Sequence, residues 1–468
     1  MRVSSFWKRQ HSNDRLLPAL PGRRKSPLAG RIAILTLSNL SLQILAFIYR
    51  MMLLRLAGSE TLGLQSLVMQ VYSMLAAVCI AGMNVAVIAS AARIGTDGNG
   101  TAIGSLTKAA ILLFLLIFAA MALPLFVLRK SVAEKLIGDG GAALSIVLVM
   151  LCILLTGIEN ILKSVHIGTG HAGRTAVSEL VEQSIRFLLV MLLLKKFCSG
   201  GSSLKVALIM AGMLGSEVVS VSFLSASYKK LFDPEQRSNG GGVAKAVSML
   251  VPILVPAALT SAAGTVFSVC AELMLPSRLM LAGYTRSEAL RSIGALHGAA
   301  MPLVMIPMAF IGALSVVSMP AVSSAYAAGD GRGVKRIASG CILAASAAFL
   351  LVNVPALPYL PKLSLKLFGI EPTGLCFALL TAKAGLVFLQ IAVRAILNGM
   401  MKQRGVLVIA LIGEAFQLAL IIILSSVRTL HIYGYLIAAC AGEGTELMIA
   451  AAYLKKQLKK PAVMPVPD

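Results

Sequence analysis

Glu179, Glu182 and Arg186 stand three and four residues apart in SELVEQSIRFLLVMLLL, so a helix through this stretch carries all three on one face. Glu182 precedes Arg186 by four residues, the favourable order for an intrahelical ion pair. The flanking residues are apolar enough for a bilayer interior, where an ionisable group is costly unless it is paired or hydrated. At about 1.5 Å per residue, Arg186 lies roughly 18 Å from Arg174 along the helix, close to the middle of a membrane. Two chemistries fit such a group. It can neutralise its neighbour and hold helices together, or it can line a wet cavity as an anion-binding cation. Lys383, at comparable depth in the second half of the chain, poses the same choice. Glu217, Glu414 and Glu443 join Glu182 as carboxylates at membrane depth, with Glu446 one turn beyond Glu443. Their symmetric placement suggests pairing within each half of the chain; the other reading is a relay that couples H+ or Na+ to movement.

A second set of cations closes two apolar runs. Arg50 and Arg55 lie in AFIYRMMLLRLAG and Arg278 lies in LPSRLMLAG, each just before a Leu-Ala-Gly turn. Five residues separate Arg50 from Arg55, so the two do not share a stripe, and one can face a cavity while the other snorkels to headgroups. Interface anchoring accounts for each arginine alone. Their repetition in both halves adds weight to an anion-binding role.

Holding these groups requires long apolar elements, and the composition supplies them. The 468 residues are 58% hydrophobic and 13% charged, with a mean hydropathy of +0.87, against roughly 45–50% and 25% in globular chains. A soluble enzyme is excluded, and an all-α polytopic membrane protein is expected. With about 20 apolar residues per crossing, twelve spans are read near 32–53, 64–91, 106–127, 142–162, 177–194 and 204–228, then near 246–275, 294–324, 336–357, 373–398, 406–426 and 432–453. The one clear break in composition is YKKLFDPEQRSNGGG at 228–242, charged and Gly-rich. The expected organisation is a basic cytoplasmic tail at 1–30, a first lobe of six helices at 31–230, a cytoplasmic linker at 231–243, a second lobe of six helices at 244–455 and a cytoplasmic tail at 456–468. The basic tails place both termini on the cytoplasmic side.

Internal repetition supports the two lobes. Leu56-Ala57-Gly58 recurs as Leu281-Ala282-Gly283, the stretch from Gly82 resembles that from Gly312, Glu182 aligns with Glu414, and SASYKK is echoed by AAAYLKK, in order and at nearly constant offset. Six helices per repeat is an even number, so the halves share one orientation and a cavity between them is expected. Pro252 and Pro256 interrupt helix 7, and Pro302, Pro307 and Pro320 interrupt helix 8, whereas helices 1 and 2 lack proline. Helix 7, with Pro252 and Pro256, is therefore the expected gate or hinge.

Nothing in the chain points to catalysis, a metal or a cofactor. There is no Walker loop, HExxH or GxSxG, the five histidines are scattered, and the seven cysteines form no CxxC pair. The net charge of +23 is consistent with an anionic membrane surface or an anionic substrate, and needs no nucleic acid.

The stretches SELVEQSIRFLLVMLLL at 178–194 and GALHGAAMPLVMIPMAFIGALSVVSMPAVSSAYAAGDGRGVKRI at 294–337, with RMMLLRLAG and TLGLQSL, resemble the polysaccharide-transporter and stage V sporulation protein B group of flippases. That group belongs to the multidrug/oligosaccharidyl-lipid/polysaccharide exporter superfamily. The resemblance implies two six-helix lobes around a central cavity that opens alternately to either side of a bacterial cytoplasmic membrane. It implies an undecaprenyl-pyrophosphate-linked glycan as substrate, the lipid-linked peptidoglycan precursor included, with membrane lipids as partners, H+ or Na+ as candidate coupling ion, and a monomer. A pyrophosphate crossing the bilayer gives cavity arginines a physical reason to exist, and Arg50, Arg55 and Arg278 are carried over for that role, with Arg186 and Lys383 as further cavity cations. The main alternative is a drug antiporter of the same fold, coupled to cations, which needs an acid-dominated pocket. The sign of the cavity distinguishes the two.

Overall fold

The computed structural model describes residues 28–95, 100–197, 200–231 and 240–459, and the described residues are helical without a strand. In chain order the helices are α1 Leu28–Ala57, α2 Ser59–Ile94, α3 Ala102–Ile137, α4 Gly140–Gly168, α5 Ala172–Lys196 and α6 Ser202–Leu231. They continue as α7 Gly240–Leu281, α8 from Arg286–Ala295 to Met308–Ala327, α9 Gly331–Phe368, α10 Gly374–Gly399, α11 Gln403–Leu424 and α12 Ile432–Lys459. Among the described residues nine of these are long and apolar enough to cross a membrane; α1, α5 and α8 are not among the nine. In α5 the reason is physical, since Glu179, Glu182 and Arg186 dilute its hydropathy while the helix remains 25 residues long. Several helices run past the expected spans because backbone hydrogen bonding continues beyond the apolar window into the interface. Most of the expected tails and linker, at 1–27, 232–239 and 460–468, lies outside the described residues.

The helices pack as two bundles. In the first, α4 and α5 lie on α6; in the second, α11 and α10 lie on α12. Small residues permit the closest approaches. A Cβ at Gly157 of α4 would lie 1.9 Å from Phe114 Cζ of α3, a ring that is fully buried. The bundles meet where α2 packs on α7 and α8, and α3 packs on α7. The two ends of the molecule are hereafter the tail face, where Leu28 and Lys459 lie, and the far face, where α1 turns into α2.

The far face is closed by contacts between the bundles. A Cβ at Gly294 of α8 would lie 1.7 Å from Ser59 O, and one at Gly63 of α2 would lie 1.9 Å from Leu290 O, so backbone touches backbone. Glu60 Oε2 accepts from Ser287 Oγ at 2.6 Å and lies 3.3 Å from Arg291 Nε, and Arg286 Nη2 lies 3.4 Å from Asp139 Oδ2. The two Leu-Ala-Gly turns make the same demand on the backbone: Gly58 has φ 86° and Gly283 has φ 106°, a region that favours glycine.

Proline acts differently in the two helices expected to bend. Helix α7 runs through Pro252, Pro256 and Pro276 without an assigned break. Helix α8 is interrupted by a π turn at Leu296–Ala300 and by non-helical residues between Val304 and Met308, at Pro307.

Candidate functional site

A cavity inside the first bundle, bordered by α8 at its far end, has two adjoining chambers that share Ala46, Met69, Gln183, Arg186 and Met213. The far chamber, of about 400 Å³, is lined by Tyr49 and Arg50 of α1, Gln65, Ser66 and Gln70 of α2, Gln183 and Arg186 of α5, and His297 of α8. Its charged lining residues are the two arginines. The tail chamber, of about 500 Å³, is lined by Gln43, Asn160, Lys163 and Arg186 together with Glu159, Glu179, Glu182 and Glu217. The cavity is therefore polarised along its axis, cationic under the far closure and acidic toward the tail face.

The position of Arg50 follows from how α8 is built. In an α-helix the His297 carbonyl would accept from Met301 N–H, but the π turn sends that group to Leu296 O. The next residue along, Pro302, has no N–H to offer. The orphaned carbonyl accepts from Arg50 Nη1 at 2.8 Å. Arg50 is thus tied across the bundles to a neutral group and lies exposed in the far chamber.

Arg186 is held more tightly. Its Nη2 pairs with Glu182 Oε1 and lies 3.0 Å from Glu217 Oε1, and its Nε donates to Ser216 Oγ at 3.2 Å. Lys163 Nζ lies 2.9 Å from Glu159 Oε1, 3.3 Å from Glu182 Oε2 and 3.7 Å from Glu179 Oε1. Ser220 Oγ donates to Glu159 and also pairs with Ser178 Oγ at 2.8 Å. Glu159, Glu182 and Glu217 are buried, and their carboxylate oxygens lie within 4.8 Å of one another. A cation could fit by distance, yet Lys163 and Arg186 already pair with these carboxylates, and Glu217 Oε2 has no hydrogen-bond partner.

The remaining sequence candidates are dispersed. Arg55 donates to Lys366 O at 2.6 Å and Leu367 O at 2.7 Å, capping the short helix Leu360–Phe368 at the far face. Arg278 is half-buried near the far end of α7, and its side chain makes no hydrogen bond or ion pair among the described residues. Lys383 is buried in the second bundle, and Glu414 and Glu443 are half-buried there; none of the three makes a hydrogen bond or ion pair among the described residues. An ion pair in the second bundle instead joins Arg394 to Glu446, with Arg394 Nε 2.8 Å from Oε1. Pro252 and Pro256 are exposed on α7.

Sequence reasoning missed Glu159 with Lys163 in GIENILKSV, although their spacing of four on an apolar run is the signal that singled out Glu182 and Arg186. It also missed Glu272 of α7, which accepts from Tyr435 Oη at 2.6 Å and lies 3.2 Å from His297 Nε2, out of line for a hydrogen bond. No linear spacing could bring Glu272, His297 and Tyr435 together.

A family model described as "Polysaccharide biosynthesis protein" matches residues 28–326. The stage V sporulation protein B of Bacillus subtilis (strain 168) is 21% identical over 440 residues, covering 91% of this chain and 83% of that protein. Among solved structures, an inward-facing multidrug resistance MATE family transporter of the MOP superfamily superposes with a TM-score of 0.69 at 15% identity, covering 89% of this chain and 94% of the other. A MOP superfamily transporter from Pyrococcus furiosus, described as having a binding pocket of reversed polarity, gives a TM-score of 0.66 at 15% identity, with 92% and 94% covered.

Proposed function

We propose, from the premise that the chain belongs to the polysaccharide biosynthesis protein family, that it flips an anionic lipid-linked glycan across the bacterial cytoplasmic membrane by alternating access. Family and fold make it a membrane transporter rather than an enzyme. The observation that carries the substrate reading is Arg50, an exposed guanidinium in the far chamber whose side-chain hydrogen bond goes to a carbonyl rather than a carboxylate. Such a group can exchange its neutral partner for a phosphate oxygen, a stronger, doubly charged hydrogen bond. Arg186 borders both chambers and supplies a second cation along the same path.

The tail face is read as cytoplasmic, since Lys455, Lys456 and Lys459 crowd the end of α12. With the far face closed, this arrangement suits loading from the cytoplasm. An undecaprenyl-pyrophosphate-linked glycan fits these requirements. Energy comes from H+ or Na+, for which the buried cluster of Glu159, Glu182 and Glu217 is the natural seat. Reconstituted vesicles with a labelled lipid-linked precursor test the reading: Arg50→Ala is expected to abolish flipping at unchanged protein level, and full activity in that variant would overturn the role of Arg50.

The acidic tail chamber favours a second reading, a drug antiporter of MATE type coupled to cations. Four glutamates line it against Lys163 and Arg186. It predicts organic-cation efflux that Arg50→Ala leaves intact.

A further inference from the structure

The far chamber holds a second kind of polar group. Gln65 and Gln70 of α2 and Gln183 of α5 line it beside the two arginines, and Gln43 lines the tail chamber. None of these carboxamides makes a hydrogen bond among the described residues. Nearby amides behave otherwise: Asn160 donates to Thr156 O at 2.8 Å, and Asn84 Nδ2 donates to Asn160 Oδ1 at 3.4 Å. Gln65, Gln70 and Gln183 are half-exposed and Gln43 is exposed, so their amides are open to a ligand in the chambers. Each offers two donors and an acceptor without charge, which matches hydroxyl and N-acetyl groups and does nothing for a phosphate that an arginine would not do better.

Their depth matches that of the cations. Counted along the helices at about 1.5 Å per residue from the far face, Arg50 lies near 10 Å and Arg186 near 15 Å, while Gln65, Gln70 and Gln183 lie near 9, 16 and 20 Å. Amides and arginines thus occupy one slab roughly 10 Å deep. Tyr49 stands in the same chamber, its ring packed edge-on against Phe187 at 6.3 Å.

We propose that Gln65, Gln70 and Gln183 read the sugar attached directly to the phosphate, and select a neutral or N-acetylated hexose there. The inference rests on the anionic lipid-linked substrate proposed above and adds the residues that discriminate among such substrates. An acidic sugar in this position would lie against Glu182 and Glu217, which border the next chamber, and is disfavoured.

The test uses the full chain in nanodiscs and three probes: undecaprenyl pyrophosphate, the same carrier bearing one N-acetylglucosamine, and the carrier bearing one glucuronic acid. Binding is read by native mass spectrometry. Wild type is expected to bind the N-acetylglucosamine carrier at least tenfold more tightly than the other two. Gln65→Leu and Gln183→Leu should each lower that preference by about two- to tenfold, the range for a neutral hydrogen bond. Binding of the bare carrier should fall by less than that of the N-acetylglucosamine carrier. The near-isosteric Gln183→Met checks that the loss follows the amide rather than the packing, with melting temperature as the control for folding. Equal binding of all three carriers by wild type, or a preference that survives both leucine variants, overturns the inference and leaves the flippase reading in place. Failure of wild type to bind any of the three carriers overturns the flippase reading, and the sugar-reading role with it.

Discussion

Replacing Gly294 by alanine is expected to open the far face. The new methyl would stand 1.7 Å from Ser59 O, where ordinary contact begins at 3.4 Å, so α8 and α2 must separate by roughly 1.7 Å. Overpacking of this kind costs about 1–3 kcal/mol, and more where nothing can yield. Here the opposing atom is backbone, so no change of rotamer relieves the clash and the upper end of that range applies. At about 1.4 kcal/mol per tenfold, the ratio of closed to open far face should fall by roughly a hundredfold. Gly63→Ala meets Leu290 O at 1.9 Å across the same contact, and once the helices have parted the second methyl enters a gap already made. The double variant should therefore cost clearly less than the two single effects added together. The assay is alkylation by a membrane-impermeant maleimide of a cysteine placed at Gln65, in a background freed of native cysteines, with the reagent added outside intact cells. Gly294→Ala should raise the labelling rate at least tenfold. Gly264→Ala, where a Cβ would meet nothing within 4 Å, serves as control. An unchanged rate in a folded Gly294→Ala variant, or an equal rise in the control, would refute the view that backbone contact between α2 and α8 closes the far face.

Three further outcomes follow from the packing. Lys163→Met strands Glu159, leaving Glu182 with Arg186 alone, and should cost about 3–5 kcal/mol, read as a lower melting temperature in detergent, whereas exchanging the charges of Glu182 and Arg186 should restore part of what either single change loses; a Lys163→Met protein as stable as wild type refutes the network. Gly157→Ala drives a methyl to 1.9 Å from Phe114 Cζ and should destabilise by about 1–3 kcal/mol, with recovery in the Gly157→Ala, Phe114→Leu pair measured by thermal unfolding. Arg55→Ala removes two hydrogen bonds to the end of Leu360–Phe368, so its melting temperature should fall below that of Arg278→Ala, which loses none among the described residues.

Much of the fold was legible because hydropathy alone imposes it. Runs of apolar residues that must bury their backbone hydrogen bonds in lipid can only be helices, and α4, α10 and α12 fall where composition put them. The repeat of Leu-Ala-Gly was legible as a pattern, and its meaning is the positive φ shared by Gly58 and Gly283. The pairing of Glu182 with Arg186 was legible from spacing, because partners four residues apart meet on any helix. Lys163 and Glu217, the other partners in that network, come from α4 and α6 at separations no local rule addresses. The prolines of α7 and α8 look alike in sequence, yet α7 continues through its own.

The sequence by itself determined that this is a helical membrane protein with charged groups at depth, since transfer free energies and helical periodicity are local properties of the chain. Only the tertiary structure decided which charges remain free. Of arginines with similar surroundings in sequence, Arg186 is paired with carboxylates from two helices, Arg55 caps a helix of the other bundle, and Arg50 faces the cavity with a neutral carbonyl as its partner. The physical reason is that a cation's availability depends on what crosses its path from elsewhere in the chain. Here that neighbour is a π turn followed by Pro302, nearly 250 residues away.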